Sequence, residues 1–227
     1  ASSISHTSRS GSVAFDPNNG AKFIISYNDS SVGKVVVGTI LGTSITFGTP
    51  VIFASSILED TGSIGVTFNP NVVGQFVIAY ADQGNSYYGT TIVGTLAGTS
   101  VSFGTPVVFK AGRSDDIDVS FDPNTAGKFV IVFSDTTNSN YGTAIVGTLS
   151  GTSVSFGTEV VFKSASMSYL TVAFDPNTAG RFIVCTYTGH LLVGTVSGTA
   201  LSFGTEVVFT TWAANTTYIS VAFDPHT

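Results

Sequence analysis

The motif Phe-Asp-Pro recurs at Phe15, Phe121, Phe174 and Phe223, and as Phe-Asn-Pro at Phe68, with successive spacings of 53, 53, 53 and 49 residues. Between these motifs lies a second phrase, Phe-Gly-Thr, at Phe47, Phe103, Phe156 and Phe203. Each copy follows a Gly-Thr turn and runs into a Val/Ile-rich triplet that ends in Phe. A chain that repeats itself at this interval is built from copies of one supersecondary unit, each burying its apolar surface against its neighbours.

The third copy shows the unit most clearly. Residues Ile117 to Phe121 read as a first strand, and Asp122-Pro123-Asn124-Thr125-Ala126-Gly127 as a turn with Gly127 free to take positive φ. Lys128 to Ser134 is apolar on both faces, which predicts a strand buried between two layers. Tyr141 to Leu149 forms a third strand, Ser150-Gly151 a tight hairpin, and Ser153 to Phe162 a fourth, alternating strand. One site in that last strand holds Pro50, Pro106, Glu159 or Glu206, residues suited to an outer edge. The first strand, with small Ala14, Thr67, Ser120, Ala173 and Ala222, suits a crowded inner position.

Four antiparallel strands ordered from inner to outer predict an all-β fold, a β-propeller of four-stranded blades. The repeats are about 1–53, 54–109, 110–162 and 163–209, with a partial one at 210–227. They form a single domain with four complete units and an extra first strand, Tyr218 to Phe223. A piece of a longer array is the expectation. Four closed blades with an overlapping strand, or a fifth blade completed by another chain, are the alternatives, and the last predicts self-association.

Composition bounds the function. With 14 acidic and 8 basic residues the net charge is −6, and the Lys/Arg are scattered singly, which argues against a phosphate-tracking surface and hence against nucleic-acid binding. No apolar run approaches the roughly 20 residues that span a bilayer, so membrane insertion is not expected. The lone Cys185 follows Phe182-Ile183-Val184 and reads as a buried thiol. The three His residues lie far apart without metal-ligand spacing, so no metal or other cofactor is expected. The repeated Asp of Phe-Asp-Pro is explained by turn capping rather than by an acid–base pair. No enzyme is predicted; a propeller glycosidase, needing acidic side chains that converge on the axis, ranks last.

In a four-stranded meander the Asp-Pro-Asn turns and the Gly-Thr hairpins share one end, and both are nearly constant among the copies. The two-to-three loops and the links between units share the other end, and there length and composition vary. Recognition residues favour such loops. This end carries Tyr87, Tyr88, Asp115, Asp116, Asn138, Asn140, Tyr141, His190, Trp212 and Tyr218. Aromatic faces beside amides and carboxylates suit a sugar, whose C–H patches stack on rings while its hydroxyls are read by polar groups. Such surfaces also serve protein recognition. Asp115, Asp116 and Asp118 form the densest acidic cluster, which reads as a solvated loop. Asn-x-Ser/Thr sequons begin at Asn28 and Asn215.

The phrases Tyr141-Gly142-Thr143-Ala144-Ile145-Val146-Gly147-Thr148, Val154-Ser155-Phe156-Gly157-Thr158-Glu159-Val160-Val161-Phe162 and Phe121-Asp122-Pro123-Asn124-Thr125-Ala126-Gly127-Lys128-Phe129 resemble a repeat class found in long repetitive proteins of marine bacteriophages and aquatic bacteria. The resemblance covers essentially the whole chain. It implies a propeller-like structural or tail-fibre-type adhesion module exposed on a virion or outside the cell, and carries over no catalytic residues. A surface glycan or host receptor is the expected partner, and a structural spacer or assembly module completed by another chain is the alternative. The shortened fourth unit, which lacks the Asn-Tyr-Gly stretch, departs from the pattern.

Overall fold

The computed structural model describes residues 11–58, 64–209 and 219–224. All regular structure in these residues is β, apart from single 3-10 turns at Gln83–Asn85 and Thr136–Asn138. The first repeat contributes β1 (Gly11–Phe15), β2 (Lys22–Asp29), β3 (Val32–Leu41), β4 (Ser44–Phe47) and β5 (Val51–Ala54). The second contributes β6 (Ile64–Phe68), β7 (Gln75–Asp82), β8 (Tyr88–Ala97) and β9 (Ser100–Phe103), followed by β10 (Val107–Phe121). The third adds β11 (Lys128–Asp135), β12 (Tyr141–Ser150), β13 (Ser153–Phe156) and β14 (Val160–Ser166). The fourth comprises β15 (Thr171–Phe174), β16 (Arg181–Cys185), β17 (His190–Ser197), β18 (Ala200–Phe203) and β19 (Val207–Val208).

The expected closed propeller is overturned by the hydrogen bonding. The strands form three separate open sheets of five, nine and five strands, and none of them closes. The physical cause is β10. Its first half pairs with β8 and its second half with β11, so a single fifteen-residue strand welds the second and third units into one sheet. The predicted link at Lys110 to Asp118 is therefore strand, with irregular register between Val108 and Arg113 and between Asp115 and Asp118. The acidic cluster on it is likewise no solvated loop: Asp116 is buried. The fourth strand is broken too. Phe-Gly-Thr-Pro/Glu interrupts it, so that β4 and β5, β9 and the start of β10, β13 and β14, and β18 and β19 pair separately with one third strand. The expected extra strand is not formed in 219–224.

Within the unit the predicted grammar holds. The second strands β7 and β11 are buried on both faces. Asp16, Asn69, Asp122 and Asp175 each accept a hydrogen bond from the backbone N–H two residues on, at 2.8–3.0 Å. Gly74, Gly127 and Gly180 close these turns at φ of 70–75°. Asn18 and Asn124 reach one unit onward, donating to the Pro70 and Pro176 carbonyls at 3.2 and 3.0 Å.

The apolar cores lie between units. One joins Ile24, Val35, Val37 and Phe53 to Val66, Phe68, Phe76 and Tyr80. A second joins Val77, Val93 and Phe109 to Val119, Phe121, Phe129 and Phe133. The third joins Val130, Val146 and Phe162 to Val172, Phe174, Phe182 and Leu192. First strands pack beside one another in chain order, β1 on β6, β6 on β10 and β10 on β15. Their two ends thus frame an axial space.

Candidate functional site

At the end of that axis bearing the variable loops lies a cavity of about 330 Å³. Its lining comes from equivalent positions of successive first strands: Ser12, Asp118, Thr171 and Ser220 on one level, Asp116 and Tyr169 on the next, with apolar Ile64, Ile117, Leu170 and Ile219. Ligand pockets typically start near ~300 Å³, so the space suits one or two sugar-sized rings.

Two carboxylates shape it, and both clasp the following unit. The Tyr169 N–H donates to Asp116 Oδ1 at 3.0 Å. Asp118 Oδ2 accepts from the Val172 N–H at 2.9 Å and from the Thr171 hydroxyl at 3.1 Å, while its Oδ1 accepts from the Val119 N–H at 2.9 Å. Burial pushes the Asp118 carboxyl up to about 6, against the pull of those donors, which favour its ionised form. Asp116 and Tyr169 both sit at φ of 49°, a left-handed conformation uncommon for such residues and held here by the clasp.

A second cluster stands at the same end. Tyr87, at φ of 62°, lies under the Arg113 guanidinium, 5.3 Å from ring centroid to Cζ. Arg113 also grips Asp115 at 3.0 Å and faces Tyr88 across the β8–β10 ladder. The other candidates do not converge. Asn138 is exposed on its 3-10 turn, and the Asn140 carbonyl accepts from the Met167 N–H at 2.9 Å. Tyr141 opens β12, half-buried. His190 Nδ1 lies against the Glu206 carboxylate, which Lys163 holds at 2.6 and 2.7 Å, below its ordinary acidity range, so His190 serves a junction between units instead of the cavity. Trp212 and Tyr218 lie outside the described residues. The sequon at Asn28 is buried, its amide donating to the Leu58 carbonyl at 3.2 Å, so it is no exposed acceptor for a glycan.

Of the ten candidate residues, then, the cavity gathers Asp116, while Tyr87, Tyr88 and Asp115 meet at Arg113. Tyr169 and Thr171 are missed by the sequence reading, although the 53-residue offset from Asp116 and Asp118 identifies them. Cys185 is buried with its thiol pushed up by desolvation. Among the described residues no group of three or more His, Cys, Asp or Glu side chains could hold a metal ion.

No protein-family model and no curated protein matches the chain. Solved structures do. Chaetomium thermophilum Sqt1 superposes at a TM-score of 0.57 with 15% identity, over 86% of this chain and 45% of that one; it has also been solved bound to the N-terminus of the ribosomal protein L10. Aleuria aurantia lectin, in complex with Fucα1-6GlcNAc, superposes at 0.57 with 14% identity, over 89% and 63%. A putative 6-phosphogluconolactonase from Bacteroides uniformis does so at 0.59 with 10% identity, over 88% and 55%. The chain spans under two thirds of the length of each. At these identities the likeness is one of fold.

Proposed function

We propose that this chain is a non-enzymatic recognition module that binds a glycan or a glycan-bearing receptor at the variable-loop end of its repeat array. The axial cavity carries this reading. Tyr169, the apolar residues Ile64, Ile117, Leu170 and Ile219, and a belt of hydroxyl and carboxylate residues line a space of sugar size. The lectin and Sqt1 support a binding role on this fold. The resemblance of the repeats to phage and aquatic bacterial surface proteins supports display on a virion or outside a cell, where weak sites gain strength by avidity.

The carboxylates favour binding over hydrolysis. A glycosidase needs two acidic groups flanking the scissile bond, with their oxygens free to move protons. Both Asp118 oxygens already accept hydrogen bonds from the protein, three in all. A glycan array probed at high protein concentration tests the proposal. Reproducible hits sharing a terminal sugar support it; a blank array removes the glycan reading.

A further inference from the structure

The charge of the axial cavity is of one sign. Asp116 and Asp118 line it beside Ser12, Thr171, Ser220 and Tyr169, and no lysine, arginine or histidine is among the described residues of its wall. Arg113 stands at the same end of the array but outside that wall, held by Asp115 at 3.0 Å and set over the Tyr87 ring. The chain as a whole carries a net charge of −6, so its long-range field adds to that of the cavity instead of opposing it.

The hydrogen-bonding groups of the wall are biased in the same direction. The Tyr169 N–H donates to Asp116, while the Val119 N–H, the Val172 N–H and the Thr171 hydroxyl all donate to Asp118. Donors that would otherwise greet an anion are thus turned onto the protein's own carboxylates. An ionised carboxylate has about four acceptor sites, and the three donors on Asp118 leave about one for a ligand. None of those three donors is a cation, and burial holds the Asp118 carboxyl at about 6, above its ordinary value of 3.8. A buried carboxylate with no cation beside it carries a desolvation cost that an incoming cation offsets.

We infer that the ligand of this cavity carries a protonated amine: the site selects sugars with a free amino group over neutral ones and rejects uronic and sulfated ones. The inference rests on the glycan reading above and sharpens it. Asp116 and Asp118 set the charge of the ligand, and the apolar wall, with Ile117 and Leu170, takes its ring. An acidic sugar would bring a like charge to two carboxylates with no cation in the wall between them, and such juxtaposition is a strong means of excluding a wrong ligand.

Calorimetric titration near neutral pH and at low ionic strength tests this with matched probes: the β-linked glucosamine disaccharide with free amines, its N-acetylated form, cellobiose and digalacturonate. The free-amine disaccharide should bind at least about tenfold more tightly than cellobiose or the acetylated form, and digalacturonate should not bind. That advantage should shrink as salt is raised. Asp116→Asn tolerates the left-handed φ of 49° and keeps an acceptor for the Tyr169 N–H, and it should bring the free-amine disaccharide to within about twofold of cellobiose. Asp118→Asn serves as the second variant if Asp116→Asn unfolds. Equal wild-type affinity for the amine and hydroxyl disaccharides, a preference that survives the substitutions, or binding of digalacturonate overturns the inference and leaves the glycan reading standing. Cyclohexylamine, a ring-sized cation without hydroxyls, separates the two: its binding in the absence of any sugar binding supports the selection of charge and removes the glycan reading, whereas failure of every probe to bind overturns both.

Discussion

Gly147 lies directly across the β11–β12 ladder from Phe129, and the Phe129 ring fills the space a side chain at 147 would need: an added Cβ would stand 2.0 Å from its Cζ. The same pair recurs as Phe23 with Gly38, Phe76 with Gly94 and Phe182 with Gly194. In each unit that central ring also touches the Phe of the Phe-Asp/Asn-Pro motif and, edge-on, the Phe of Phe-Gly-Thr; in the third unit these are Phe121 at 5.2 Å and Phe156 at 6.3 Å. The glycine lets the ring lie flat on the ladder, and this fixes both motifs to one point of the unit. Gly147→Ala is expected to destabilise the protein by about 3 kcal/mol, the upper range for overpacking a filled site. Gly151→Ala, in open space at φ of 59°, is expected to cost only about 1 kcal/mol of backbone strain. Urea unfolding of the two variants checks the contrast.

The junction between the second and third units has a buried ionic anchor. Lys110 Nζ lies 2.7 Å from Asp135 Oδ2, whose side chain is 3% exposed, and 2.8 Å from the more exposed Glu159. Removing the lysine strands the Asp135 carboxylate away from water. Lys110→Met is expected to cost about 3 kcal/mol, and Glu159→Gln under about 1 kcal/mol. Thermal melts at low and high salt distinguish the two, because salt screens only the exposed contact appreciably.

Stability should also depend on pH through Asp118. Its folded-state value of about 6 lies above the ordinary carboxylate value of 3.8, so folding favours the protonated form. That contribution is full below pH 4 and is lost as pH rises through 6. Between pH 5 and 7 the wild type is expected to lose about 1 kcal/mol relative to Asp118→Asn, which cannot ionise. Chemical denaturation of both proteins at pH 5, 6 and 7 checks this; parallel curves for the two would contradict it.

The unit was legible in the sequence because its signals are local. Alternation in Val154–Phe162, the two-sided run Phe129–Phe133 and the Asp122–Gly127 turn each depend on neighbours within a few residues. Gly147 was not legible as a packing site, since only the register places it against Phe129. The propeller expectation failed at a comparable point. Periodicity counts the strands of each unit, but hydrogen bonding along Val107–Phe121 decides that two units share one sheet. The site was half legible. Sequence variation pointed to the end of the meander at which the cavity lies and to Asp116, whereas Tyr169, one repeat further on, takes its place at the cavity through the clasp of that carboxylate on its N–H.

The central claim is that the axial cavity binds a sugar, and the most direct measurement is calorimetric titration of the best glycan-array ligand into wild type, Tyr169→Ala and Tyr87→Ala. Tyr169 lines the cavity, while Tyr87 sits outside it under Arg113. Loss of one aromatic stacking surface of ~1.4 kcal/mol corresponds to a tenfold change in Kd. The account predicts at least that weakening for Tyr169→Ala, with Tyr87→Ala close to wild type and both variants folded. Undiminished affinity in a folded Tyr169→Ala protein would contradict it.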